Sequence, residues 1–186
     1  EGLDVNINEP NVFVSQIQVP KSMELLDHLI DEKVAKEWNY FDWEEVSIAS
    51  EKVIISRTGF TNELGWEIYL RPENNAKKIG DLILEKGKSM GMMLTASPGF
   101  RGRRIEAGLL SAGRDFTKDR TPFSVGLGKF VDFGKGDFIG RDHLLKASKE
   151  CLTWGLRVKD SYALVDSDLS INNNNVGKVT SSTWSP

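Results

Sequence analysis

The feature that most constrains the fold of this sequence is a pair of apolar runs joined by a loop rich in glycine, threonine and asparagine. The runs are "KVIISRTGF", which starts at Lys52, and "ELGWEIYL", which ends at Leu70. Runs of β-branched and aromatic residues bounded by such loops are typical of β-strands. A third run, "EEVSIAS", precedes them and is joined to the first by a tight turn. The sequence therefore predicts consecutive strands of one antiparallel sheet.

The last of these strands carries a glutamate between two large apolar residues. Because side chains alternate along a strand, Trp66 and Ile68 share a core face with Leu70, whereas Glu67 and Tyr69 lie on the other face. Burying a carboxylate without a partner costs several kcal/mol. Either the second face is exposed to water, as one side of an antiparallel sheet often is, or it lines a cavity. In a cavity, the carboxylate could accept two parallel N–H bonds from a nitrogen-rich ring.

Amphipathic segments predict helices that pack on one face of the sheet. The first follows Pro20, and its apolar positions recur at helical spacing through Met23, Leu26, Ile30 and Val34. Three further helices are predicted from the segments "PENNAKKIGDLILEKGKSMG", "SPGFRGRRIEAG" and "FIGRDHLLKASKE". Together with two strands near the start, "DVNINEP" and "NVFVSQIQVP", the pattern predicts an α+β fold with a mostly antiparallel sheet.

The pattern changes to strands after Ala147. The segments "CLTWGLRVKD", "YALVDSD" and "VGKVTSSTW" each have strand character, and "INNNN" is typical of a hairpin loop because asparagine tolerates positive φ. We therefore expect a domain boundary near Ala147, with one domain over 1–147 and a partial β-barrel domain over 148–186. No internal repeat is visible.

Composition excludes several classes of function. With 24 Lys and Arg against 27 Asp and Glu, the net charge is −3, which gives no reason to expect a nucleic-acid or membrane partner. Cys151 is the single cysteine, and His28 and His143 lie far apart, so we expect no metal site and no Ser-His-Asp triad. One cysteine and no signal-peptide pattern favour a cytoplasmic protein.

Both ends look cut, since the chain opens abruptly at Glu1 and stops just after a strand-like run. We expect it to lack the N-terminal part and the end of the C-terminal barrel of a longer protein. An exposed domain surface would then favour self-association into a homo-oligomer.

Four segments, in order, resemble the folate-dependent aminomethyltransferase family, which includes the glycine cleavage T-protein. They are "SRTGFTNELGWEIYL", "RRIEAGLLSAGRDF", "TPFSVGLGKFVDFGKGDFIGRDHL" and "VGKVTSSTWSP". The resemblance implies a three-domain cloverleaf with tetrahydrofolate in its central hole. It also implies an enzyme whose catalytic residues lie outside this chain, so that the 186 residues alone are inactive.

The resemblance assigns tetrahydrofolate to named residues. Glu67 would bind the exocyclic amine and a ring N–H of the pterin, and Tyr69 would form the pocket wall. Arg101 or Arg104 would reach the carboxylates of the benzoyl-glutamate tail. The alternative from the residues themselves is a solvated helix face on which Arg103 pairs with a glutamate three residues on.

The subgroup that this chain resembles most is the dimethylsulfoniopropionate demethylases, because of "SPGFRGRRIEAGLLSAG" and "LDVNINEP". That resemblance implies transfer of a methyl group from a small-molecule sulfonium donor to N5 of tetrahydrofolate. Two alternatives stay open: aminomethyl transfer or dealkylation of another methylated amine, and a non-catalytic folate-binding relative. The "QVP" at Gln18 to Pro20, where the family has Gln-Gly-Pro, is a departure from the family pattern.

Overall fold

The structure, a computed structural model, describes residues 3–31, 37–95 and 97–185. The chain divides into two compact units, Glu1–Phe100 and Arg101–Pro186. The domain boundary expected near Ala147 lies inside the second unit and stays a prediction. In the described parts of the chain, no helix has the length and apolar character needed to cross a bilayer.

The first unit is built on a four-stranded antiparallel sheet. Its strands are β1 (Phe13–Gln18), β2 (Trp43–Ile48), β3 (Glu51–Ser56) and β4 (Gly65–Leu70), in the spatial order β1-β4-β3-β2. The three strands predicted from the apolar runs are therefore confirmed. The strand predicted over "DVNINEP" is wrong. Phe13 already pairs with Leu70, the last residue of β4, and no strand among the described residues lies beside the segment upstream of Phe13.

One face of this sheet forms the hydrophobic core with two helices, α1 (Ser22–Leu29) and α2 (Ala76–Ser89). Trp66 and Ile68 are completely buried on this face, and the Trp66 and Trp38 rings form a T-shaped pair with a centroid distance of 4.9 Å. The remaining core residues are Ile17, Leu25, Leu26, Leu29, Val46, Ile48, Val53, Ile55, Leu70 and Ile79. The core face predicted for β4 is confirmed.

Helix α1 is shorter than its apolar periodicity predicts. Leu26 is buried as expected, but Ile30 has extended backbone angles (φ −77°, ψ 128°) and forms a β-bridge with Ile48. The Ile30 N–H still donates to the Leu26 carbonyl, but the next N–H, that of Asp31, donates to the Ser47 carbonyl of β2 at 2.8 Å. The helix therefore ends at Leu29, because the chain turns to pair with the end of β2. Val34, the last residue predicted for this apolar face, lies outside the described residues.

Helix α2 has the start and stop signals expected of a surface helix. Asn75 caps its N-terminus, where the side-chain oxygen accepts a hydrogen bond of 3.1 Å from the backbone N–H of Lys78. The helix ends just before Gly91, whose φ of +79° suits a residue without a side chain. The sequence predicts an end near Gly87 or Gly91, and the structure has the second of these.

The second unit contains short elements separated by long irregular segments. Its helices are the C-terminal part of α3 (Ser97–Glu106), a 3₁₀ turn (Gly128–Phe130) and α4 (Arg141–Lys146). Strands β5 (Asp168–Ile171) and β6 (Asn174–Lys178) form an antiparallel pair. Their turn uses Asn172 and Asn173 at φ of 51° and 65°, as the asparagine run predicts. The α+β class is thus confirmed.

The three segments predicted as strands after Ala147 are wrong in whole or in large part. "CLTWGLRVKD" is irregular, "YALVDSD" reaches only the first residue of β5, and "VGKVTSSTW" overlaps β6 only at its start. Among the described residues, no strand lies beside the parts of these segments outside β5 and β6. A strand without a neighbouring strand would leave its backbone N–H and C=O groups unpaired.

Aromatic rings hold part of the irregular region together. Phe123 and Phe133 stack at a centroid distance of 6.4 Å, and Phe138 lies 6.3 Å beyond Phe133. The ammonium of Lys149 lies 3.8 Å from the centre of the Phe123 ring, a cation–π contact. These side-chain contacts hold together loops that lie outside the regular strands and α-helices.

Shortening a core residue of β4 should lower the stability of the first unit. Ile68→Ala removes apolar atoms from a completely buried site and leaves a cavity, so we expect a loss of about 2–5 kcal/mol in the free energy of unfolding. Leu84→Ala on α2 is the control, because Leu84 is 47% exposed, and it should change stability by about 0.5 kcal/mol or less. Urea unfolding followed by tryptophan fluorescence measures both; equal losses would contradict the assigned core.

Candidate functional site

Glu67 lies on the sheet face opposite the core, in the middle of that face. It pairs in register with Gln16 of β1 on one side and with Ser56 of β3 on the other. Directly opposed residues of antiparallel strands point to the same face, so these side chains lie together. Glu67 and Tyr69 are both half-buried. The sheet thus holds the carboxylate in a polar row rather than in the core.

Three neutral donors hold the Glu67 carboxylate. The Gln16 side-chain amide donates to Oε1 at 2.8 Å. The Thr58 hydroxyl donates to Oε2 at 2.5 Å, and the Tyr69 hydroxyl donates to the same oxygen at 3.1 Å. A carboxylate offers roughly four acceptor positions, two on each oxygen. Oε2 is therefore fully used, whereas Oε1 retains one acceptor position.

The Tyr69 phenol stays protonated next to this carboxylate. Burial raises the pKa of Tyr69, and the charge of Glu67 and its hydrogen bond raise it further, while the Thr58 contact lowers it. A phenol with a raised pKa keeps its proton at neutral pH and can only donate to the carboxylate. Tyr69 therefore orients Glu67 as well as lining the same face.

Gly59 in the β3–β4 loop and Gly65 at the start of β4 both lie close to a glutamine side chain. A Cβ at Gly59 would lie 2.7 Å from Nε2 of Gln18, and a Cβ at Gly65 would collide with the same amide. Thr61 donates to Gln18 Oε1 at 2.6 Å, but Gln18 Nε2 is buried and has no hydrogen-bond partner in the described structure. The glycines therefore make room for Gln18, the first residue of the unusual "QVP".

Arg104, one of the predicted folate contacts, lies in a buried ion pair of the second unit. Its guanidinium donates to Asp115 at 2.6 Å, and the two side chains are 6% and 3% exposed. The same nitrogen, Nη1, also donates to the Leu109 carbonyl at 3.1 Å, and Nη2 donates to the Ser181 hydroxyl at 2.7 Å. Binding of the benzoyl-glutamate tail would need an exposed guanidinium, but the guanidinium of Arg104 is buried in the protein.

Asp115 is fully hydrogen-bonded. Its Oδ2 accepts from Arg104 and from the Ser111 backbone, and its Oδ1 accepts from the hydroxyls of Thr180 and Ser181 at 2.8 and 2.5 Å. Burial by itself raises the pKa of Asp115, but these bonds outweigh burial and hold the pKa below its usual value. The ion pair ties α3 to the segment after β6.

Arg101 differs from Arg104 in being exposed on the first turns of α3. Arg103 lies 3.8 Å from Glu106, the pairing expected from their spacing. Binding of folate by Arg101 or Arg104 stays a prediction, as does binding by Glu67 and Tyr69.

Three of these site residues were missed by sequence reasoning. Gln16 and Thr58 contact Glu67, and Asp115 contacts Arg104. Alternation along "NVFVSQIQVP" places Gln16 and Gln18 on one face of a strand, which is a signal for the first. Nothing local marks Asp115. Among the described residues, no group of histidine, cysteine and carboxylate side chains could hold a metal ion.

Comparison with known proteins identifies relatives along nearly the whole chain. The family model described as the GCVT N-terminal domain matches residues 3–135. An aminomethyltransferase of Caldanaerobacter subterraneus is 36% identical over 174 residues, which is 91% of this chain and 46% of the relative. One of Thermoanaerobacter pseudethanolicus is 32% identical, over 98% of this chain and 51% of the relative. The chain spans about half the length of the curated relatives it matches.

Replacing Asp115 should destabilise the second unit. Asp115→Asn removes one partner of a buried ion pair and leaves the Arg104 charge uncompensated, so we expect a loss of about 3–5 kcal/mol in the free energy of unfolding. Asp119→Asn makes the same change at a side chain that is 67% exposed, and it should be nearly neutral. Urea unfolding at pH 7 compares the variants; a loss below about 1 kcal/mol for Asp115→Asn would contradict the assigned role.

Acid should abolish the advantage of aspartate at this position. Because the pKa of Asp115 is lowered in the folded state, its contribution is complete above the unfolded pKa of about 3.9 and is lost as the pH falls through the folded value. The difference in unfolding free energy between the native protein and Asp115→Asn should therefore shrink as the pH falls below about 4. A difference that stays constant across a urea-unfolding series from neutral to acidic pH would contradict this account.

Proposed function

Because the chain belongs to the family defined by the GCVT N-terminal domain, we propose that the protein containing it is a tetrahydrofolate-dependent one-carbon transferase. The observation that carries this proposal is the burial and hydrogen bonding of the Glu67 carboxylate. It lies half-buried on the polar sheet face, oriented by Gln16, Thr58 and Tyr69, with one acceptor position left on Oε1.

The residues on this face suit a flat heterocycle with N–H groups at its edge. Among the described residues, no lysine, arginine or histidine forms an ion pair with Glu67, so its negative charge is not neutralised by a neighbouring side chain. An anionic acceptor held in place by neutral donors favours a ligand that donates N–H bonds. Tyr69 adds a half-buried aromatic surface beside it. When bound, tetrahydrofolate supplies the nitrogen that accepts the one-carbon unit.

The arginines of α3 are proposed contacts for the carboxylates at the other end of the ligand. Arg101 is exposed and can reach an anion without losing a partner shown in the structure. The guanidinium of Arg104 is already paired with Asp115, so Arg104 is the weaker candidate for this contact.

Two one-carbon donors are proposed. The names of the similar proteins favour an aminomethyl donor, as in the glycine cleavage T-protein. The segments "SPGFRGRRIEAGLLSAG" and "LDVNINEP" favour dimethylsulfoniopropionate. A sulfonium is an activated leaving group, so its methyl transfer needs mainly alignment and exclusion of water, whereas aminomethyl transfer also needs an acid to manage the released amine. The single cysteine supports a cytoplasmic setting for either reaction.

A donor assay on the full-length protein separates the candidates. With tetrahydrofolate present, dimethylsulfoniopropionate should yield methylthiopropionate if the sulfonium proposal holds, and an aminomethyl-lipoyl carrier should yield ammonia if the aminomethyl proposal holds. Each product is quantified by mass spectrometry or by an ammonia assay, with tetrahydrofolate omitted as control. Tight binding of tetrahydrofolate without turnover of either donor would overturn the transferase proposal in favour of a non-catalytic folate-binding protein.

Glu67→Gln should weaken binding of tetrahydrofolate by the full-length protein. The amide has one acceptor oxygen instead of two, and its NH₂ repels an N–H donor, so we expect affinity to fall by about 10- to 100-fold. Glu85→Gln on α2 is the control, because Glu85 is 71% exposed on the opposite layer, and its affinity should not change. Calorimetric titration measures both; unchanged affinity in Glu67→Gln would contradict the assigned site.

A further inference from the structure

We propose that Gln16 is a second ligand-contacting residue, which forms with Glu67 a pair of acceptors that selects ligands with two neighbouring N–H donors. This inference rests on the proposed function. It adds which part of the ligand is recognised, namely two neighbouring N–H donors. Gln16 was not among the predicted site residues, and it comes from β1, 51 residues before Glu67 in the chain.

The position of Gln16 follows from the register of the sheet. β1 and β4 are antiparallel with Gln16 directly opposite Glu67, so both side chains rise from the same face. Gln16 is exposed, whereas Thr58 and Tyr69 are half-buried. Two half-buried hydroxyls therefore donate to Oε2, and an exposed amide donates to Oε1.

The orientation of the Gln16 amide follows from its partner. A carboxylate oxygen only accepts, so the Gln16 group that lies 2.8 Å from Glu67 Oε1 is the NH₂. The carbonyl oxygen of the same amide must then point away from Glu67. Among the described residues, no donor forms a hydrogen bond with that carbonyl. Its acceptor capacity is unused within the structure.

Each of these two hydrogen-bonded side chains therefore keeps an unused acceptor. One is on Glu67 Oε1 and the other is the Gln16 carbonyl, joined through the amide that bonds the first. A ring N–H next to an exocyclic amine presents at least two donors along one edge, which matches such a pair. An analogue without the amine would leave one acceptor unsatisfied, and unpaired polar groups in a binding site are the strongest source of selectivity.

If Gln16 has only a structural role, that of orienting Glu67, the expected result differs from that of a direct ligand contact. If Gln16 only holds the carboxylate, its removal should weaken every ligand of Glu67 by the same factor. If the Gln16 carbonyl contacts the amine, its removal should weaken only ligands that carry the amine. A double-mutant cycle between protein and ligand separates these alternatives.

The experiment titrates the full-length protein with tetrahydrofolate and with its 2-desamino-2-methyl analogue by calorimetry. Gln16→Met removes the amide and keeps the chain length, and Gln16→Leu is a second variant in case the first is poorly folded. We expect either variant to lower the affinity for tetrahydrofolate by about 3- to 10-fold and the affinity for the analogue by less than about twofold. Ser15→Ala, at the neighbouring position on the opposite sheet face, is the control and should change neither affinity.

Failure of this inference differs from failure of the proposed function. Equal losses for the two ligands, or no loss for tetrahydrofolate in both Gln16 variants, would overturn the acceptor pair. If Glu67→Gln still loses affinity in that case, the proposed function stands without it. If the protein binds neither ligand, the proposed function falls and the inference about Gln16 falls with it.

Discussion

The structure depends on one constraint: a carboxylate removed from water must find hydrogen-bond donors. Asp115 meets this constraint completely, since its two oxygens accept four hydrogen bonds, one of them from the buried Arg104. Glu67 meets it in part, with three donors and one acceptor position left on Oε1. The first arrangement is closed and stabilises the second unit, and the second arrangement is open to a further donor.

The partners explain why the two carboxylates differ in what they can do. Asp115 is paired with a cation, so its charge is compensated inside the protein. Glu67 is held by an amide and two hydroxyls, which orient the group but leave its charge uncompensated. A carboxylate of this kind attracts N–H donors in a half-buried setting, where hydrogen bonds to charged groups are strong. The ligand-binding role proposed for the sheet face rests on that difference.

Local patterns predicted the central sheet because they depend only on neighbouring residues. The alternation in "ELGWEIYL" placed Trp66 and Ile68 in the core. The predictions failed where a distant partner decides the outcome. α1 ends at Leu29 because Ile30 pairs with Ile48, and β1 begins at Phe13 because β4 ends opposite it. Apolar periodicity carries no information about such pairings.

That Glu67 and Tyr69 face away from the core follows from the amino-acid order alone, since the alternation of a strand is a property of the backbone. The family also follows from it, through segments that keep their order along the chain. Which groups meet these side chains depends on the folded chain. Gln16 reaches Glu67 from 51 residues away, and Thr180 and Ser181 reach Asp115 from 65 and 66 residues away. Contacts over such separations are set by strand register and chain packing, which no local pattern encodes.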